Sequence, residues 1–232
     1  MFPSTVPNDS ALMHVSEFER AFRDADSTRT DAGATRLSAL NPSLMQDLLR
    51  FEREHRPGDG LDALEVLAAA LRHGRNLLVH LQLDYRVVPL TVRPIERALL
   101  GPLTLPQLLE LRLPDLRVLR VEPAPEQPSE GLHHAPLGPL LWELALRGAR
   151  EALLPEIAGV AAYRVTPGAD LAVLQLGGSL AAAVARLRQQ ATPLREIAAW
   201  PGFDRGRAMR LLNGLYLQAA LMVTRTHPSA IS

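Results

Sequence analysis

The chain has 232 residues, 47% of them apolar, with 25 basic side chains that are all arginine, 25 carboxylates and no cysteine. Absence of cysteine excludes disulfides, thiolate catalysis and zinc–thiolate sites; absence of lysine excludes Schiff-base chemistry and a Walker-type phosphate lysine. The length suits one large domain or two small ones. No apolar run approaches the roughly 18 residues of a membrane-spanning helix, and residues 1–20 lack the basic-then-apolar order of a secretory signal, so the expectation is a cytoplasmic protein without membrane insertion. Charge is unevenly spread: from Leu176 onward seven arginines oppose Glu196 and Asp204, a net +5 that leaves −5 on the remainder. That asymmetry suggests separate parts.

Residues 1–11 read as a polar, proline-bearing tail. Residues 13–24 carry Val15, Phe18 and Phe22 at helical spacing. Asn41-Pro42 places a cap residue before a first-turn proline, predicting a helix to His55 with Leu44, Leu48, Leu49 and Phe51 on one face. The run RPGDG, 56–60, predicts a turn, and residues 61–72 a third helix with Leu64, Leu67, Ala68 and Leu71 inward, stopped at His73-Gly74.

The period then falls to two. Val79, Leu81, Leu83, Tyr85 and Val87 alternate with His80, Gln82, Asp84 and Arg86, predicting one half-buried strand over 79–87, ended or bent by Pro89 and continued as an edge over 90–93. A short helix over 104–112, a strand over 116–121 and a loop over 123–129 (PAPEQPS) follow. A long helix is expected over 137–154, a short strand over 163–165 and a turn at Thr166-Pro167-Gly168. Three close helices come next: 180–190 capped by Ser179, one opened by Thr192-Pro193 and running to Ala199, and one from an Asp204 cap to Gln218, after the turn Pro201-Gly202-Phe203. A closing strand is expected over 221–226.

Two stretches resemble the PATAN family of bacterial signalling domains, which often stand beside response-regulator receivers. Glu130-Gly131-Leu132-His133-His134-Ala135 is similar to that family's acidic-Gly-x-x-x-Ala turn before a helix. Residues 146–223 resemble its C-terminal half. There Tyr163, Arg164, Pro167 and Gly168 match a Tyr-Arg-x-x-Pro-Gly step, Leu194-Arg195-Glu196-Ile197-Ala198 a second helix, and Leu211, Leu212, Leu215 and Leu221 the spaced leucines of a third helix and closing strand. The resemblance covers residues 104–226, just over half the chain. It departs at Leu113-Pro114-Asp115, where the family has a threonine-glycine turn, and at the short 123–129 loop; the sheet must therefore differ, and residues 79–87 are available to supply a strand. The resemblance implies a regulatory adaptor, in some relatives tied to type IV pilus motility, and carries over no catalytic residue.

No enzyme constellation stands out. His133-His134 are adjacent, so on a strand they face opposite ways and do not converge on one metal. Glu52 and Glu54 diverge on a helix, Glu151 and Glu156 flank a proline, and no Gly-x-Ser-x-Gly elbow occurs. Gly177-Gly178-Ser179 reads first as a turn and cap and second as an anion cradle. No catalytic residue, metal or cofactor is assigned. The C-terminal module offers two readings. Arg205, Arg207 and Arg210 near the start of its last helix, with Arg225 on the strand, would serve a DNA major groove. Leu217 on the same outward face, an aspartate at the cap and few residues left for a wing favour a protein contact. The sequence thus predicts an α+β fold in three regions: an N-terminal helical region (1–74), an α/β region (75–160) with a small sheet flanked by helices, and a winged-helix-like three-helix module (161–232). The function expected is a non-catalytic regulatory adaptor working through an unidentified protein partner, with Arg205, Arg207, Arg210, Leu217 and Arg225 as its surface; DNA-binding regulation is the alternative.

Overall fold

The structure is a computed structural model describing residues 12–27, 42–54, 60–126, 131–174 and 176–225. The expected tail 1–11, the Asn41 cap, the helix end His55, residues 56–59 of the first turn, residues 127–130, Thr226 and His227 lie outside the described residues, as does the side chain of Phe22. The fold is α+β, with two compact units, Met1–Leu137 and Gly138–Ser232.

In the first unit, helices α1 (Val15–Ser27), α2 (Pro42–Glu54) and α3 (Ala63–His73) precede or interleave the strands. Asp62 accepts a hydrogen bond from the Glu65 amide at 3.1 Å to start α3, and Gly74, at φ 61°, closes it by donating to Ala70 and Leu71 carbonyls. The sequence predicts one apolar face for this helix, yet residues 63–70 are all buried, because α3 lies between the sheet and α2. Its alanines make that close approach affordable in space. Asp47 of α2 fastens the pair, accepting from Arg72 at 2.6 Å and meeting His73 Nε2 at 2.8 Å.

The sheet is antiparallel with order β1-β5-β2-β3-β4-β6: β1 (Leu61–Asp62), β2 (Leu77–Leu83), β3 (Arg86–Arg93), β4 (Ala98–Gly101), β5 (Arg117–Pro123) and β6 (His133–Pro136). The strand predicted over 79–87 is a hairpin instead. Leu83 pairs with Arg86 across a two-residue turn, with Asp84 in the left-handed region at φ 52°. Pro89 does not end β3, and β3 is not an edge. β4 pairs with β3 only from Thr91 to Arg93, while Val87 donates to the Met13 carbonyl at 2.9 Å. Pro89 shares the parity of Val87 and falls between these two partners, where no amide is needed. Helix α4 (Leu105–Glu110) starts at Thr104 through a capping box with Gln107, and a 3-10 turn, Leu113–Asp115, leads into β5.

In the second unit, α5 (Leu137–Arg147) ends at Gly148, well short of the predicted 154. The Gly148 amide reaches the Leu144 carbonyl at 2.8 Å, and a Cβ there would lie 2.3 Å from that oxygen. An irregular segment follows, and side chains hold its backbone. Then come β7 (Ala162–Val165), a 3-10 turn Ala172–Leu174, α6 (Gly178–Gln189), β8 (Thr192–Pro193), α7 (Leu194–Ala198), α8 (Arg205–Leu217) and β9 (Leu221–Thr224). Gly177 rather than Ser179 caps α6, and Thr192 lies buried in β8 instead of opening α7. The three-stranded sheet has order β8-β7-β9, with β7 antiparallel to both neighbours. The last strand β9 thus pairs with β7, which precedes the helices in the chain.

Candidate interaction surface

The α7–turn–α8 segment is built by local rules. Trp200 donates to Ile197 and Phe203 to Trp200 in the turn, Gly202 takes φ 77°, and the Asp204 carboxylate accepts the Arg207 amide at 2.7 Å. Helix α8 then enters the core. Ala208, Leu211, Leu212, Asn213, Gly214, Leu215 and Leu217 are buried, an arc wider than the predicted single face. Leu217, expected outward, is only 2% exposed. The reason is a second packing partner: Gly214 lies against Trp142 of α5, so closely that a Cβ would sit 2.8 Å from two ring carbons. A helix clasped on two sides buries more of its circumference than one apolar face.

The predicted arginines do not form one free surface. Arg205 is exposed and lines an open hollow of about 760 Å³ together with Arg207 and Arg210. Leu146, Leu180 and Met209 give that hollow an apolar part, and Glu151 and Asp204 add negative charge. Arg207 donates to the Gly202 carbonyl at 2.8 Å and Arg210 to the Leu146 carbonyl at 3.2 Å. Arg225 does not line the hollow; it donates to the Glu156 carbonyl at 2.9 Å. Asn213, buried at 1% exposure, accepts from the Leu154 amide and donates to Ala152, both at 2.9 Å. Tyr163, fully buried, donates to Ile157 at 2.8 Å, and its burial pushes the phenol above its ordinary range while Arg225 draws it back.

A feature missed in the sequence lies at the turn. The Arg186 guanidinium sits over Trp200 at 5.4 Å, Trp200 meets Phe203 edge to face at 6.4 Å and 85°, and Arg207 sits over Phe203 at 5.3 Å. Both arginines are exposed and both rings half-buried. The signal was present: one of only two tryptophans and one of five phenylalanines flank a Pro-Gly turn, which a polar loop has no packing reason to hold.

No family model, curated protein or solved structure matches the chain. The other candidates stay apart. His133 and His134 are exposed on the edge strand β6, registered with Gly101 and Leu100. Among the described residues no three His, Asp or Glu side chains are grouped to hold a metal ion, and no helix is long and apolar enough to cross a membrane.

Proposed function

We propose that the chain is a non-catalytic regulatory adaptor acting through protein contact, and that residues 161–225 form a winged-helix-like module turned from DNA reading to partner binding. The arrangement of helix, strand, two helices and strand, with β7 beside β9, supports the winged-helix likeness. The carrying observation is the burial of α8 along its length. A recognition helix lies in the major groove and offers side chains to base edges; here only its first turn is exposed. Arg210 and Arg225 donate to carbonyls of the chain itself, which diminishes what they offer to phosphates. A place in bacterial signalling or surface motility rests on the PATAN resemblance alone.

The test is fluorescence anisotropy with labelled genomic duplexes across a salt series. Only weak, sequence-indifferent binding is expected at moderate salt. Tight duplex binding that weakens on Arg205→Ala or Arg207→Ala would establish the DNA-binding alternative and overturn the adaptor reading.

A further inference from the structure

We infer that the ladder Arg186–Trp200–Phe203–Arg207 docks an acidic segment of the partner protein, its guanidiniums taking carboxylates and the adjoining hollow an apolar side chain. The inference rests on the adaptor reading and specifies the partner's chemistry.

Three observations carry it. First, the two arginines are exposed and, among the described residues, neither lies within ion-pairing distance of a carboxylate, whereas Arg147 and Arg210 of the same unit have Glu143 and Glu151. A guanidinium held over a ring still has N–H groups to donate, and its planar fork matches a carboxylate. Ring contact also limits its rotamers beforehand, so less freedom is lost on binding. Second, the unit Gly138–Ser232 carries ten arginines against six carboxylates, a net +4 that draws an acidic partner. Third, the geometry disfavours a nucleic acid strand. Bases stack on open ring faces, but one face of each ring is taken by an arginine and the rings stand at 85° to each other. Arg207 belongs to both the ladder and the hollow, where Leu146, Leu180 and Met209 suit an apolar anchor.

Tryptophan emission reads the site directly, because Trp200 is half-exposed and Trp142 is only 3% exposed. The full chain is titrated with an Asp/Glu peptide of about twelve residues bearing two leucines, with its Asn/Gln counterpart, and with an oligothymidylate of equal charge. A saturable emission change is expected with the acidic peptide, weakened about tenfold by Arg186→Gln with Arg207→Gln and by a rise from about 50 to 200 mM salt. The signal is expected to vanish in Trp200→Phe, and Arg147→Gln to leave binding unchanged. Because Arg207 also holds the Gly202 carbonyl, Arg186→Gln alone is the second variant, with an expected loss of about threefold. Binding indifferent to both arginine variants, or tighter ladder-dependent binding of the oligothymidylate, overturns the inference. A protein contact that survives in the ladder variants overturns only this assignment; duplex binding dependent on Arg205 overturns the adaptor reading as well.

Discussion

Asn213 offers the sharpest test of how the second unit is held. It replaces a partner that regular structure would supply: its carboxamide closes on the Leu154 amide and the Ala152 carbonyl, both at 2.9 Å. In Asn213→Ala the Leu154 amide, on a residue only 1% exposed, loses its acceptor. A buried orphaned donor costs about 1–3 kcal/mol. The Ala152 carbonyl belongs to an exposed residue and recovers water, adding about 0.5 kcal/mol; alanine returns up to about 0.7 kcal/mol of helix propensity. The net expectation is a loss of about 1–3 kcal/mol. Asn213→Asp separates the two bonds: it keeps an acceptor for Leu154 but turns a carboxylate oxygen on the Ala152 carbonyl. That carboxyl is expected to titrate above its ordinary range, so the variant's deficit is full at neutral pH and shrinks as pH falls and the protonated group donates. Urea unfolding followed by tryptophan emission measures both, since Trp142 and Trp200 lie in Gly138–Ser232. A loss below about 0.5 kcal/mol for alanine, or an aspartate variant as stable as the native chain at pH 7, refutes the reasoning.

Gly214→Ala is expected to destabilise the same unit by up to about 2 kcal/mol, because pressure on the Trp142 ring, of about 1–3 kcal/mol, offsets the helix gain of about 1 kcal/mol; Trp142→Phe in the same chain should recover part of it in a thermal melt. Tyr163→Phe removes only the bond to Ile157 and should cost about 1 kcal/mol. In the first unit, His80 is buried beside Phe18, and its pKa is lowered by burial first, with Glu122 opposing and Arg120 adding to the shift. The unfolded chain therefore takes up this proton first as pH drops through the ordinary histidine range, and stability falls there by up to about 1.4 kcal/mol per pH unit. Circular-dichroism melts from pH 8 to 5 should show a shallower decline in His80→Gln; equal slopes contradict the assignment.

Local chemistry was legible and tertiary context was not. Asp204 reads as a cap from sequence and is one, as do the turns at Gly74 and Gly202, because each depends on neighbours along the chain. The 79–87 stretch misleads for a definite reason. Asp84 and Tyr85 form a two-residue turn that preserves the alternation of polar and apolar residues, so two strands read as one. The buried arcs of α3 and α8 are wider than periodicity implies, since periodicity assumes one packing partner and each helix has two. The ladder escaped because Arg186 comes from α6, far along the chain from Trp200.

The positive charge of the second unit changes meaning once its partners are named. Arg150, Arg164, Arg188, Arg207, Arg210 and Arg225 each donate to a main-chain carbonyl. These carbonyls belong to helix ends, turns and the irregular segment after α5, where the backbone has no ladder of its own. A lysine-free chain meets that need with guanidinium forks, which reach carbonyls in a fixed plane. The number of arginines therefore overstates the N–H donors left open to a polyanion. Arg186, Arg195 and Arg205 are exposed and make no hydrogen bond to such a carbonyl among the described residues. Two of them stand beside the α7–α8 turn, Arg186 over Trp200 and Arg205 in the hollow. Positive charge concentrated at one turn, beside aromatic rings and an apolar hollow, suits a short segment with few carboxylates better than a duplex backbone that repeats its charge along a whole face.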